Sequence, residues 1–177
     1  MVAPGIKQKA EKIRLLLTDC DGCLTDGGVF YSARGEEMKC FNIRDGMGVK
    51  RLQFHAGVET GIVTGELSGS VKKRAEKLGI EELHLGARDK GAVFDAITSR
   101  RDIPPEAVAY LGDDVNDLEP LKRAGLSACP ADAVSEVKEV VDVVLTLRGG
   151  QGCFREFAEL ILAAIGLPKT ESGVYPH

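Results

Sequence analysis

Residues 13–28, IRLLLTDCDGCLTDGG, decide how the rest of the chain is read. An apolar run of strand length, 13–17, passes without a linker into Thr18-Asp19-Cys20-Asp21-Gly22-Cys23. Two chemistries overlap there: a carboxylate pair, Asp19 and Asp21, and a Cys-x-x-Cys pair, Cys20 and Cys23.

Working outward, strand-length apolar runs recur at 58–63, 83–85, 108–111, 126–128 and 141–145. Segments with helical spacing lie between them at 46–56, 68–78, 90–100, 115–124, 133–139 and 152–165. This alternation predicts an α/β fold, a Rossmann-like parallel sheet with helices on both faces. Asp89 is placed to cap the helix that starts at Lys90, and Gly79 to close the one before it. Residues 29–41, VFYSARGEEMKCF, break the rhythm and read as a β-hairpin inserted after the first strand. No repeat or linker divides the chain, so one domain is expected over 1–177, ending in a short tail at 166–177.

A net charge of −4, dispersed basic residues and 5% aromatics argue against nucleic-acid binding. The apolar runs are too short for a membrane span, and residues 1–13 lack the apolar core of a secretory signal; a cytoplasmic location is expected. Five cysteines are an odd count. They read as buried reduced thiols; Cys20 and Cys23 also have the spacing of a zinc or redox pair, the alternative, but no second ligand pair accompanies them.

In open α/β sheets the ligand crevice lies beyond the carboxyl ends of the strands. There the sequence places Asp19 and Asp21, then Thr64-Gly65, then Gly112-Asp113-Asp114-x-x-Asp117, with Lys90 opening a helix between the last two. So many carboxylates at one sheet edge require positive charge among them, and oxygen ligands suit Mg²⁺ better than zinc. Singly, each element also reads as a solvated turn, a strand exit or a surface lysine; their order and context carry the functional reading.

The set D-x-D-G-x-L-T-D, T-G, K and G-D-D-x-x-D, in this order, resembles the haloacid dehalogenase-like phosphatases. The resemblance implies that Asp19 is a nucleophile forming an aspartyl-phosphate and that Asp21 is the general acid and base. Thr64 and Lys90 would hold the phosphoryl group. Mg²⁺ would be bound by Asp19, the main-chain carbonyl of Asp21 and Asp113, with Asp114 and Asp117 behind them. The spans from Asp21 to Thr64 and from Thr64 to Lys90 leave no room for the cap domain many such enzymes carry, so a neighbouring subunit is expected as the lid, with the hairpin reaching across.

GEEMKCFNIRDGMGVKRL at 35–52 and GGQGCFREFAELIL at 149–162 look like the tetrameric 3-deoxy-D-manno-octulosonate 8-phosphate phosphatases and their relatives acting on nine-carbon 2-keto-3-deoxy sugar-acid 9-phosphates. The likeness implies a homotetramer, and substrate contacts from Asn42, Arg44 and Asp45; the alternative for these three is a helix-start turn. Two departures stand out. Glu66 follows Thr64-Gly65 where the octulosonate enzymes usually have arginine, and Gln151 interrupts their Gly-Gly-Arg-Gly. A carboxylate cannot bind a sugar-acid carboxylate as arginine does. Lys73, Arg74 and Lys77 on the next helix are candidates for that anion, although such clusters are also solvated helix faces. The pairing of Glu66 with Lys77 resembles the nine-carbon branch and tilts the expectation toward a nonulosonate 9-phosphate. Alternatives are the eight-carbon phosphate, a non-catalytic partner of a sugar-acid cytidylyltransferase, and a phosphomutase or generalist phosphatase. The intact Asp19/Asp21 pair argues against the non-catalytic partner, and the missing cap against the mutase.

Overall fold

Leu15, Leu16 and Leu17 have no solvent exposure, and their side chains alternate between two apolar layers. A strand buried on both faces belongs inside a parallel sheet covered by helices, which is where this one lies. The structure, a computed structural model, describes residues 3–167. In chain order the elements are α1 (Pro4–Ala10), β1 (Leu15–Thr18), β2 (Phe30–Ser32), β3 (Gly35–Met38), α2 (Ile43–Ala56), β4 (Glu59–Val63), α3 (Gly69–Leu78), β5 (Glu82–His84), α4 (Lys90–Arg101), β6 (Val108–Leu111), α5 (Leu118–Arg123), β7 (Leu126–Cys129), α6 (Ser135–Lys138), β8 (Val143–Val144) and α7 (Cys153–Ala164).

Six strands form one parallel sheet in the order β5-β4-β1-β6-β7-β8, and β2 and β3 pair as the expected antiparallel hairpin. Residues of α1, α2, α3 and α7 pack on one face around Leu16, and residues of α4, α5 and α6 on the other around Leu15 and Leu17. Among the described residues no domain interrupts this unit beyond the hairpin. Among the described residues no helix is long and apolar enough to cross a membrane.

The caps follow the sequence. Asp89 accepts from the Ala92 amide, 2.9 Å, and Gly79 ends α3 at φ 71°. Some boundaries differ. Helix α2 begins three residues before the expected 46 because Asn42 is its N-cap, accepting from the Arg44 amide. The helix expected at 115–124 divides into a 3₁₀ turn, Val115–Asp117, and α5. Helix α1 was not expected, although Pro4 at its first turn is a helix-start signal. Of the tail, only Gly166 and Leu167 lie within the described residues.

Register fixes the site. Thr18 at the end of β1 aligns with Ile62 on β4 and Leu111 on β6, so the three strands release Asp19, Thr64 and Asp113 at one level. The chain runs outward to one side of β1 through β4 and β5, then crosses to β6 on the other side. That reversal opens the crevice in which α/β proteins bind ligands.

Candidate active site

Three carboxylates, Asp19, Asp113 and Asp117, bring ligand oxygens within 4.8 Å of one another at this edge. Their approach depends on Gly22, which turns at φ 82°; a Cβ there would stand 2.0 Å from Asp113 Oδ2. Gly149 backs the same loop, since a Cβ on it would meet the Gly22 carbonyl at 1.9 Å.

Lys90 lies between the acids. Its Nζ is 3.0 Å from Asp19 Oδ1 and 2.8 Å from Asp117 Oδ1, and the lysine is 2% exposed. Burial works against its charge, but Asp19 and Asp117 outweigh it and hold the ammonium above its ordinary pKa. Asp117, fully buried, also accepts from the Tyr110 hydroxyl, 2.8 Å, and the Asp113 amide, 3.3 Å. It therefore holds Lys90, Tyr110 and the Asp113 loop together while its carboxylate stays within ligand distance of Asp19 and Asp113.

The Cys20 amide, 2.7 Å, and Lys90 both donate to Asp19 Oδ1. Burial, then the charge of Asp117, pushes Asp19 up to about 8 against the pull of Lys90; the same causes push Asp113 up to about 7. Two carboxylates resisting ionisation beside a third are short of positive charge, and an all-oxygen donor set fits a hard divalent cation. Asp114 lies at the rim, where its carboxylate accepts from the Val115 amide.

Thr64 is buried, and its Oγ1 accepts from the Glu66 amide, 3.2 Å, which leaves the hydroxyl proton to donate. Asp21 is held by Thr25 Oγ1, 3.1 Å, and by Lys39, whose Nζ reaches both carboxylate oxygens at 2.7 Å. Lys39 comes from the hairpin, and sequence reasoning missed it. Its position two residues after Glu37, just past the end of β3, was the available signal, but which neighbour it meets depends on how the hairpin folds back.

The cleft encloses about 240 Å³ and is lined by Asp19, Asp21, Thr64, Gly65, Glu66, Asp113 and Asp114, together with Val29, Tyr31, Glu36 and Lys39 from the hairpin region, and Asn116. Five expected substrate contacts lie outside this wall. Asn42 caps α2 and donates to the Gly150 carbonyl, 3.1 Å; Asp45 is buried and accepts from the Arg155 amide, 2.8 Å, at the start of α7. Arg74 donates to the Asn42 carbonyl, 2.9 Å, with its guanidinium over the Phe41 ring. Arg44 is exposed and lines a separate groove with Arg155 and Leu160, and Lys77 is exposed on α3. Asn42, Asp45 and Arg74 thus tie α2 to its neighbours, Asn42 as the cap of a helix start and Arg74 packed against the chain rather than on a solvated helix face. Burial first, then Asp21 and Asp19, pushes the Cys20 thiol up; Cys23 is pushed up by burial and Asp113.

Residues 80–152 match the haloacid dehalogenase-like hydrolase family. The chain is 40% identical, over 165 residues, to the 3-deoxy-D-manno-octulosonate 8-phosphate phosphatase KdsC of Salmonella typhimurium, covering 93% of this chain and 87% of that protein. The crystal structure of the Yersinia pestis 3-deoxy-D-manno-octulosonate 8-phosphate phosphatase superposes with a TM-score of 0.92 at 35% identity, covering 99% of this chain and 94% of that one. The Moraxella catarrhalis enzyme, solved with a magnesium ion, a phosphate ion and a KDO molecule, gives 0.86 at 37% identity, covering 90% and 91%. The chain, a phosphoric monoester hydrolase, belongs to the 3-deoxy-D-manno-octulosonate 8-phosphate phosphatase family of haloacid dehalogenase-like hydrolases.

Proposed function

We propose that the chain hydrolyses the phosphate ester of a 2-keto-3-deoxy sugar acid through an aspartyl-phosphate. The convergence of Asp19, Asp21, Thr64 and Asp113 on one small cleft, with Lys90 bonded to Asp19 at its base, carries this reading. Both donors to Asp19 take Oδ1, which leaves Oδ2 to attack phosphorus. As the Oδ2–P bond forms, the bond from phosphorus to the sugar oxygen breaks, and Asp21 gives that oxygen its proton. Asp21, now a carboxylate, takes a proton from water; the water oxygen bonds phosphorus, the bond to Asp19 breaks, and inorganic phosphate leaves. Thr64 and Lys90 donate to the phosphoryl oxygens throughout. Asp19, Asp113 and the main-chain carbonyl of Asp21 would hold Mg²⁺, which when bound offsets the charge of the acids and of the phosphoryl group.

Two observations bear on the sugar. The 40% identity with an octulosonate 8-phosphate phosphatase supports the eight-carbon substrate. Glu66, in the cleft wall where the octulosonate enzymes usually carry arginine, supports the nine-carbon 9-phosphate, and we place it first. A cleft of about 240 Å³ is small beside the roughly 300–1,000 Å³ of typical ligand sites. Such a cleft leaves room for a neighbouring copy to complete the wall in the expected homotetramer, and the exposure of Tyr31 in that wall, 70%, and of Phe30 and Leu67 next to wall residues in sequence, 59% and 83%, supports that reading.

The test is phosphate release from both sugar-acid phosphates, with and without EDTA, alongside sedimentation velocity on the same samples. We expect Mg²⁺-restored turnover by a four-chain species, none by Asp19→Asn, and kcat/KM higher for the nine-carbon ester. A kcat/KM about tenfold higher for the eight-carbon ester, 1.4 kcal/mol in transition-state binding, overturns the order of the two sugars. An active Asp19→Asn overturns the covalent path.

A further inference from the structure

Among the described residues that line the cleft, Lys39 is the one cation, and it comes from the hairpin, directly after β3, rather than from an end of the parallel sheet. Its side chain is shielded from solvent, and its ammonium meets both oxygens of Asp21 at 2.7 Å and Glu36 Oε2 at 3.3 Å. Glu36 Oε1 in turn accepts from the Ser68 hydroxyl, in the loop between β4 and α3. Asp21, Lys39, Glu36 and Ser68 thus form a chain of contacts that closes the hairpin over the mouth of its own subunit's cleft.

An acid–base carboxylate must present the right oxygen to the leaving group, and a side chain with two free torsions does so only if its neighbours fix it. On Asp21, Thr25 takes Oδ1 from inside while Lys39 spans both oxygens from the hairpin. Without Lys39, Asp21 would face Glu36 with only Thr25 to orient it, and two carboxylates at that spacing repel.

Resting on the phosphatase reading above, we propose that Lys39 is a positioning residue for Asp21, and that the hairpin therefore serves catalysis in its own subunit as well as any neighbour it covers. Substrate capture by Lys39 is the competing use of a cleft cation. Against it, the ammonium is already shared between two carboxylates and held beside the acid that serves the leaving oxygen.

The two uses separate by leaving group. A sugar alkoxide needs a proton from Asp21 to depart, whereas p-nitrophenolate departs without one. Lys39→Met is therefore compared with wild type in kcat/KM on an alkyl phosphate and on p-nitrophenyl phosphate. The alkyl ester is the better of the two sugar-acid phosphates, or glycerol 3-phosphate if wild type turns over neither; that outcome sinks the substrate reading and leaves this comparison intact. We expect a loss of about 100-fold on the alkyl ester, the lower end for general acid catalysis, and less than about fivefold on the aryl ester. Lys39→Arg, which keeps the cation and its donors, should recover the alkyl reaction to within about tenfold. Equal losses on the two esters, a change in KM alone, or no loss on the alkyl ester each overturn the proposal; if Lys39→Met melts below wild type, Lys39→Gln carries the same comparison with the same outcomes.

Discussion

On the sheet side of the cleft Asp19, Lys90, Asp117 and Tyr110 are 6%, 2%, 0% and 0% exposed, and each is bonded to another of the four or to the loop beside it. The hairpin side presents Phe30, Tyr31 and Met38 at 59%, 70% and 60% exposure, and Lys39 is its shielded charge. The difference is one of self-sufficiency. A buried charge persists only with partners in place, so the sheet side carries its own geometry. The hairpin is a two-stranded ribbon, too small to be stable alone, and within the chain it takes its position from the Asp21 and Ser68 contacts.

The hardest test of that contrast is Lys90→Met. It strands Asp19 and Asp117 without their shared cation in a buried site. Breaking such an arrangement typically costs about 3–5 kcal/mol. Loss of an electrostatic clamp on a reacting phosphoryl group lowers kcat by about 10²–10³-fold or more. Thermal unfolding and phosphate release should therefore both collapse, whereas Lys39→Met should change turnover with little change in stability. A Lys90→Met protein that melts like wild type would mean that the sheet side is not held by its charges.

The same contrast explains what the sequence disclosed. Asp19, Thr64, Lys90 and Asp113 stand immediately beyond strands or at a helix start, so short local patterns located them, and parallel register brought them together. Lys39 meets Asp21 only because β2 and β3 fold back over the cleft, a long-range outcome no spacing encodes. Asn42, Asp45 and Arg74 show the converse. Their residue types suit a sugar acid, but each is occupied by backbone groups, at the start of α2, at the start of α7 or at the Gly150 turn. Local sequence gives such side chains a position along the chain without giving them a direction.

A milder test uses pH. Asp19 and Asp113 are raised from 3.8 to about 8 and about 7, with burial the largest cause and Asp117 the next. A carboxylate with a higher pKa folded than unfolded holds its proton more tightly when folded. Its contribution to stability is full below 3.8 and is lost as pH rises through 7 to 8. In EDTA the melting temperature should fall by several degrees between about pH 5.5 and about pH 8.5, since about 1 kcal/mol moves a chain of this size by roughly 2–4 °C. Excess Mg²⁺ binds the folded state and should flatten that slope. Parallel slopes with and without Mg²⁺ would place the cation elsewhere and leave the sheet side with an unexplained excess of acid.

The smallest effect is expected from the two cysteines that share a loop with the acids. Cys20 and Cys23 are fully buried; Cys23 Sγ is 3.8 Å from Asp113 Oδ1, and Cys153 donates to the Cys23 carbonyl at 3.2 Å. A cysteine acts as nucleophile or metal ligand as its thiolate, and here burial first, then the neighbouring aspartates, holds both as thiols. Their work is to fill space behind Asp19 and Asp21, which other small side chains can share. The double variant Cys20→Val, Cys23→Val should keep its Mg²⁺-dependent kcat within about fivefold while melting a few degrees lower, because the added methyl groups overpack the loop by about 1–3 kcal/mol. The alanine pair, which leaves room instead, should melt lower too and stay active. If both pairs lose Mg²⁺-dependent turnover while still folded, the thiols have a chemical part in the site, and the division between a charged sheet side and an inert packing layer beneath it fails.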